Sequence, residues 1–255
     1  MSPQPLYRRV ADTLRTEITS GVFPPGARLP SERDLCERFD ASRNTVRSGL
    51  NVLVTEGLIT SSQGLGYEVR SHEVFSLNAS RFENLTFPQN GDAYSTDVTQ
   101  AGRRPHQDFR VEMQPARAEV AEQLGISEGD TTVLRFCHRY VDGVPWSTQA
   151  TNYPMWLLEM APRLAQPGDI DEGTTRYLAG LGVEQVGYHD DISTRMPTPE
   201  EARLLQIGAG IPVLIWRRIG YSADKPVRCT ITTLRGDLNH MNYEIGDLAA
   251  RGDAQ

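Results

Sequence analysis

The sequence predicts an α+β protein of two domains: a small helical head ending in a β-hairpin, then an antiparallel sheet with helices on a face. Three observations predict it. Residues 1–70 run in helical periods and end in a glycine-rich hairpin. Residues 71–91 lose any clean period. The remainder repeats on itself at an offset of 81 residues, each copy reading helix, glycine turn, long strand, hairpin turn and return strand. A chain of 255 residues is long enough for two cores.

The head begins with a helix over about 5–20, where Leu6, Val10, Leu14 and Ile18 form one stripe, and ends at Gly21. Phe23-Pro24-Pro25-Gly26 is a rigid turn. Ser31 stands where an N-cap belongs, with Asp34 at the positive end of the next helix and Leu35 and Phe39 facing inward. Asp40-Ala41 breaks that helix and Ser42 caps another, whose apolar side is Val46, Leu50 and Leu53 and whose end is Glu56-Gly57. Leu58-Ile59-Thr60 and Tyr67-Glu68-Val69 then alternate as strands around the tip Ser61–Gly66. Two short helices, a tight turn and a glycine-tipped hairpin make a winged helix-turn-helix.

The third helix carries the chemistry. Arg43 and Arg47 lie one turn apart beside the apolar stripe. Guanidinium forks meet phosphates or guanine O6 and N7, and the hydroxyls of Ser42 and Thr45 reach phosphate oxygens. The chain as a whole carries −7, but residues 1–70 hold nine arginines against eight acids and the rest carries −8. Binding to a duplex must therefore depend on where a few arginines stand rather than on a general field.

Pro5-Leu6-Tyr7, the run from Gly21 to Arg33, Ser42–Arg47 and Glu56-Gly57-Leu58-Ile59 resemble the GntR-type bacterial transcription regulators nearly position for position. That resemblance implies a twofold-symmetric DNA operator bound by a homodimer, usually as a repressor. It assigns operator contacts to Arg33, Arg43 and Arg47 with Ser42 and Thr45, and minor-groove entry to the wing glycines Gly64 and Gly66. The chain departs from the family at Leu65, where a basic or polar residue is usual, and at Tyr67, where Thr is common.

The expected boundaries are 1–70 for the DNA-binding head, 71–91 for a linker, 92–248 for the second domain and 249–255 for a tail. In the repeat Ala121 meets Ala202, Leu124 meets Leu205, Tyr140 meets Tyr221 and Pro145 meets Pro226. Thr198-Pro199-Glu200-Glu201 supplies a cap, an N1 proline and an acidic first turn. Gly173-Thr174-Thr175-Arg176 opens a helix that can close a cleft. Behind such a head, Val141–Pro145 and Met196–Ala202 resemble the UTRA effector domain of the HutC subfamily. The resemblance implies a chorismate-lyase-like fold with a small-molecule pocket between sheet and helices. Of the positions used by relatives that sense sugar phosphates only Arg139 is kept; Gly173, Gln149 and Arg228 replace a serine and two carboxylates. Arg139 and Arg228 as cations, with Gln149, Thr174 and Thr175 as hydrogen-bonding groups, leave an anionic or neutral polar metabolite open.

Other classes fit less well. Cys36, Cys137 and Cys229 are scattered in apolar surroundings and read as free thiols, and the five histidines lack ligand spacing, so neither a metal nor another cofactor is expected. No run approaches a membrane span and no signal-peptide pattern opens the chain, which points to the cytoplasm. An enzyme would need a poised acid or base beside the substrate anchor, and no Asp or Glu falls on the candidate pocket positions. A constitutive DNA-binding protein with an empty second domain is the third reading.

Overall fold

A computed structural model describes residues 4–62, 66–70, 75–78, 92–208 and 210–243. They fall into two compact units, one within Met1–Val74 and Met196–Pro212, the other within Phe75–Arg195 and Val213–Gln255.

In the first unit α1 (Leu6–Thr19), α2 (Glu32–Phe39) and α3 (Arg43–Thr55) are followed by the antiparallel pair β1 (Ile59–Ser62) and β2 (Gly66–Val69). The expected caps form. Ser31 and Asp34 make a reciprocal capping box, and Asp40 leaves α2 in the left-handed region at φ 48°. Ser42 caps α3. Val10, Leu14, Leu35, Val46, Leu50, Leu53 and Ile59 are fully buried in one core. Each such burial contributes roughly 1.5–3 kcal/mol before ordering costs. Gly49 lets α1 and α3 approach: a Cβ there would stand 2.8 Å from the Tyr7 carbonyl oxygen and 2.9 Å from a Val10 methyl.

In the second unit the stretch read as a patternless linker contains β3 (Phe75–Asn78). Then come α4 (Ala93–Gln100), β4 (Pro105–Pro115), α5 (Ala118–Leu124), β5 (Thr131–Val141), β6 (Val144–Pro154), α6 (Met155–Met160) and α7 (Thr174–Gly180). The chain continues with β7 (Gly187–Arg195), α8 (Pro199–Leu204, grouped with the first unit), β8 (Val213–Tyr221), β9 (Pro226–Arg235) and β10 (Asn239–Asn242). β10 runs parallel to β3. Four residues show too little period for strand β3 to be read from sequence.

The six-stranded antiparallel sheet has the order β4-β5-β6-β9-β8-β7. That order is symmetric about the β6–β9 pair, and the chain order β4-α5-β5-β6 matches β7-α8-β8-β9, so the repeat is longer by one strand than the sequence suggests. The match extends to irregularities. Register slips between Arg139 and Tyr140 in one hairpin and between Gly220 and Tyr221 in the other, at equivalent positions of the repeat. The first hairpin turns at Asp142 and Gly143, both at positive φ. α6 and α7 bury Leu157 and Leu178 against Val133, Tyr153 and Val227. α4 buries Tyr94 and Val98 with Val141, Trp146 and Leu238.

Candidate nucleic-acid interface and effector pocket

The reading helix presents what its period demands. Val46, Leu50 and Leu53 go inward, which leaves the Arg43 and Arg47 side chains 66 % and 55 % exposed on the other arc. Both are tied to one acid of α2: Arg47 Nε donates to both Glu32 oxygens at 2.8 and 3.0 Å, and Arg43 Nε lies 3.7 Å away. Arg33 on α2 is 80 % exposed. The Ser42 hydroxyl accepts from the Thr45 amide at 3.2 Å and lies 2.9 Å from the Thr45 hydroxyl, so both sit at the front of α3. Gly66 opens β2 at φ +84°, a conformation that favours glycine. Gly64 and Leu65, with most of 71–91 and all of 249–255, lie outside the described residues. Tyr67 is half-buried against the head's core. Arg33, Ser42, Arg43, Thr45 and Arg47 all belong to the helix-turn-helix. Glu32 is the functional neighbour that the sequence reading passed over.

The second unit holds a cavity of about 130 Å³. Its floor is one face of the sheet. The strands supply alternate residues: Phe109 from β4, Arg135 and Cys137 from β5, Thr151 from β6, Thr230 from β9 and Arg218 from β8. Asp92 and Ala93 at the start of α4, and the stretch from Asp169 through α7's first turn, complete the wall.

All five residues picked from sequence, Arg139, Gln149, Thr174, Thr175 and Arg228, line this cavity. Among the described residues Arg139 pairs with neither of its acidic neighbours in sequence, Asp142 and Glu128. Asp142 is taken by Arg103 at 2.8 Å. Arg139 instead donates to two neutral amides, Gln107 Oε1 at 3.0 Å and Gln149 Oε1 at 3.1 Å, and lies over the Tyr94 ring. Buried Arg228 donates to the Gln185 amide oxygen at 2.8 Å. Arg135 is spent on backbone carbonyls, among them Leu164 at 3.0 Å and Gln166 at 2.8 Å. Arg218 is neutralised by both oxygens of Asp190 at 2.7 and 2.6 Å.

Carboxylates outside the candidate positions also line the pocket: Asp92, Asp169 and Glu172. Glu172 is held by Arg163. Asp92 and Asp169 meet at one amide, because Gln107 Nε2 donates to Asp92 at 2.9 Å and to Asp169 at 3.3 Å. Loss of water contact and the neighbouring Asp92 charge push the Asp169 carboxyl up to about 6, although the residue stands exposed at the rim. Burial pushes the Cys137 thiol up to about 11, away from any nucleophilic state near neutral pH. Once Arg139 is placed inward, the two-residue period of a strand identifies Arg135 and Cys137 as its floor neighbours. No local signal identifies Asp92 or Asp169. Among the described residues no cluster of His, Cys, Asp and Glu fits a metal ion, and no helix is long and apolar enough to cross a membrane.

Comparison with known proteins agrees with both halves. Residues 6–69 match the model of the bacterial regulatory proteins of the gntR family, and residues 100–239 match the UTRA domain. The HTH-type transcriptional regulator GgaR of Escherichia coli is 29 % identical over 241 residues, covering 92 % of this chain and 88 % of its own. The HTH-type transcriptional repressor NagR of Bacillus subtilis is 26 % identical, covering 86 % of each. The crystal structure of PhnF from Mycobacterium smegmatis shares the fold at a TM-score of 0.57 and 21 % identity, over 93 % of this chain and 99 % of that one. The chain belongs to the GntR family of bacterial regulatory proteins, and is a transcriptional regulator whose DNA-binding head is joined to a UTRA effector domain.

Proposed function

We propose that this regulator is a cytoplasmic repressor that binds a twofold-symmetric operator as a homodimer and changes its DNA affinity when a small metabolite enters the UTRA pocket. The observation that carries the reading is the exposed arc of α3, where Arg43 and Arg47 stand opposite a fully buried stripe. Arg43 and Arg47 read base edges or phosphates, Arg33, Ser42 and Thr45 fix the helix on the backbone, and Gly64 and Gly66 bring the wing to the minor groove. Residues 1–70 form the binding head, 71–91 the connector and 92–248 the effector domain, with 249–255 as a tail.

Arg139, Gln149, Thr174, Thr175 and Arg228 contact the effector, which is bound and not turned over. The inert Cys137 thiol favours binding over catalysis. The name of NagR supports the repressor assignment by likeness. The test is a gel-shift titration on the promoter region upstream of the protein's own coding sequence, at low salt, with and without a bound metabolite. A protein-dependent shift that a metabolite weakens is the expected result. No shift on any neighbouring promoter overturns the reading.

A further inference from the structure

The UTRA cavity is charged at both ends of a single amide. On one side of Gln107, its Oε1 accepts from Arg139, whose other hydrogen bond goes to the neutral Gln149 amide. On the other side, its Nε2 donates to the carboxylates of Asp92 and Asp169. Ser95 N also caps α4 through Asp92 at 3.1 Å, Ile170 N reaches Asp169 at 2.8 Å, and the two carboxyls lie close enough to hydrogen-bond each other. Among the described residues the two acids thus face the cavity with hydrogen bonds but without an ion pair at salt-bridge distance, and so does Arg139. Elsewhere on the wall Arg218 has Asp190 and Glu172 has Arg163. A doubly charged anion alone would meet two carboxylates beside its arginine, and a cation alone would meet the arginine. A molecule with both charges satisfies both, because a charge left unpaired in a half-buried site costs more than one that is matched.

Resting on the effector reading above, we infer that the pocket's ligand is a small dipolar metabolite, its ammonium group against Asp92 and Asp169 and its carboxylate or phosphate against Arg139. Gln107 is the positioning residue that holds the two poles one amide apart.

The test is affinity selection by the full-length protein from an equimolar mixture of sugars, polyols, sugar phosphates, organic acids, amino acids, amino sugars and amino-sugar phosphates, read by mass spectrometry. The retained compound is then titrated against wild type, Asp92→Asn and Asp169→Asn. Asn keeps the cap on α4 and the bond to Ile170 while removing the charge. The expected result is retention of compounds that carry both an ammonium and an anionic group, with affinity lowered tenfold or more in each variant. Retention of a sugar, sugar phosphate or organic acid with no basic nitrogen overturns the inference and leaves the effector reading standing. Equal affinity of the Asn variants for the retained compound also overturns it. Retention of nothing overturns the effector reading and this inference with it.

Discussion

Arg47 on the reading helix is held by Glu32 of the preceding helix, its Nε 2.8 and 3.0 Å from the two carboxylate oxygens. Arg43 shares the same acid at 3.7 Å. In the proposed operator complex a duplex competes with Glu32 for both arginines. Substituting Arg43 or Arg47 by Ala is expected to weaken operator binding by roughly 1–3 kcal/mol. Glu32→Gln is expected to tighten binding to non-cognate duplex several-fold and steepen its salt dependence by about one charge. Fluorescence anisotropy across a salt series checks both, and weaker non-cognate binding by Glu32→Gln would refute this role for the acid.

Gly49→Ala tests the close crossing of α1 and α3. Alanine is the better helix former by about 1 kcal/mol. Its methyl would nonetheless meet the Tyr7 carbonyl oxygen at 2.8 Å and Val10 at 2.9 Å. The expected net effect is a loss of about 1–3 kcal/mol, read as a lower denaturation midpoint. A raised midpoint would show that the helices have room to spare.

Asp190 has the opposite sensitivity to acid from Asp169. Burial alone would raise its carboxyl, but the bonds from Arg218, that cation's charge and the Tyr243 hydroxyl at 2.9 Å outweigh it and hold the group below its ordinary value. The lowered folded value makes this a stabilising group above the ordinary carboxylate range, and the contribution is lost as pH falls through the folded value. Asp190→Ala leaves the buried Arg218 guanidinium without its carboxylate and is expected to cost about 3–5 kcal/mol near neutral pH. Urea unfolding at pH 7 and at pH 3 checks it: the gap between variant and wild type should narrow in acid.

Asp169→Asn is expected to stabilise the ligand-free protein. The folded carboxyl, raised to about 6 by lost water contact and by Asp92, prefers its proton more than the unfolded one does. Wild type therefore loses stability as pH rises from about 4 through about 6, and the amide variant escapes that loss. Arg139 and Cys137 on β5 and Asp92 before α4 are the charged or titratable groups that face it, and the Ile170 amide and the Arg139 charge oppose the shift. Because the residue is exposed at the rim, the difference should be on the order of 1 kcal/mol at pH 7–8 and vanish near pH 4. Thermal melts across that range provide the check.

Much of this was legible from the residues in order. Ser31, Ser42 and Thr198 cap the helices they were expected to cap, because a cap is a contact across three residues. The repeat placed both long hairpins and their turns. Strand β3 and the length of the repeat were not legible: a four-residue strand has too few positions to show a period, and β4 and β7 carry little similarity to reveal their equivalence.

The sequence by itself determined the family, the two-part architecture and the arc of α3 that carries Arg43 and Arg47, since periodicity, capping and turn chemistry act over a few residues. It also picked five residues that the sheet and the first turn of α7 bring to one cavity. Only the tertiary structure decided the balance of charge around them. Glu32 reaches Arg47 across two helices, and Asp92 and Asp169 converge on Gln107 from separate segments, because packing and strand register bring together groups far apart in the chain. Electrostatic partners are chosen by distance in space, which no spacing along the chain encodes.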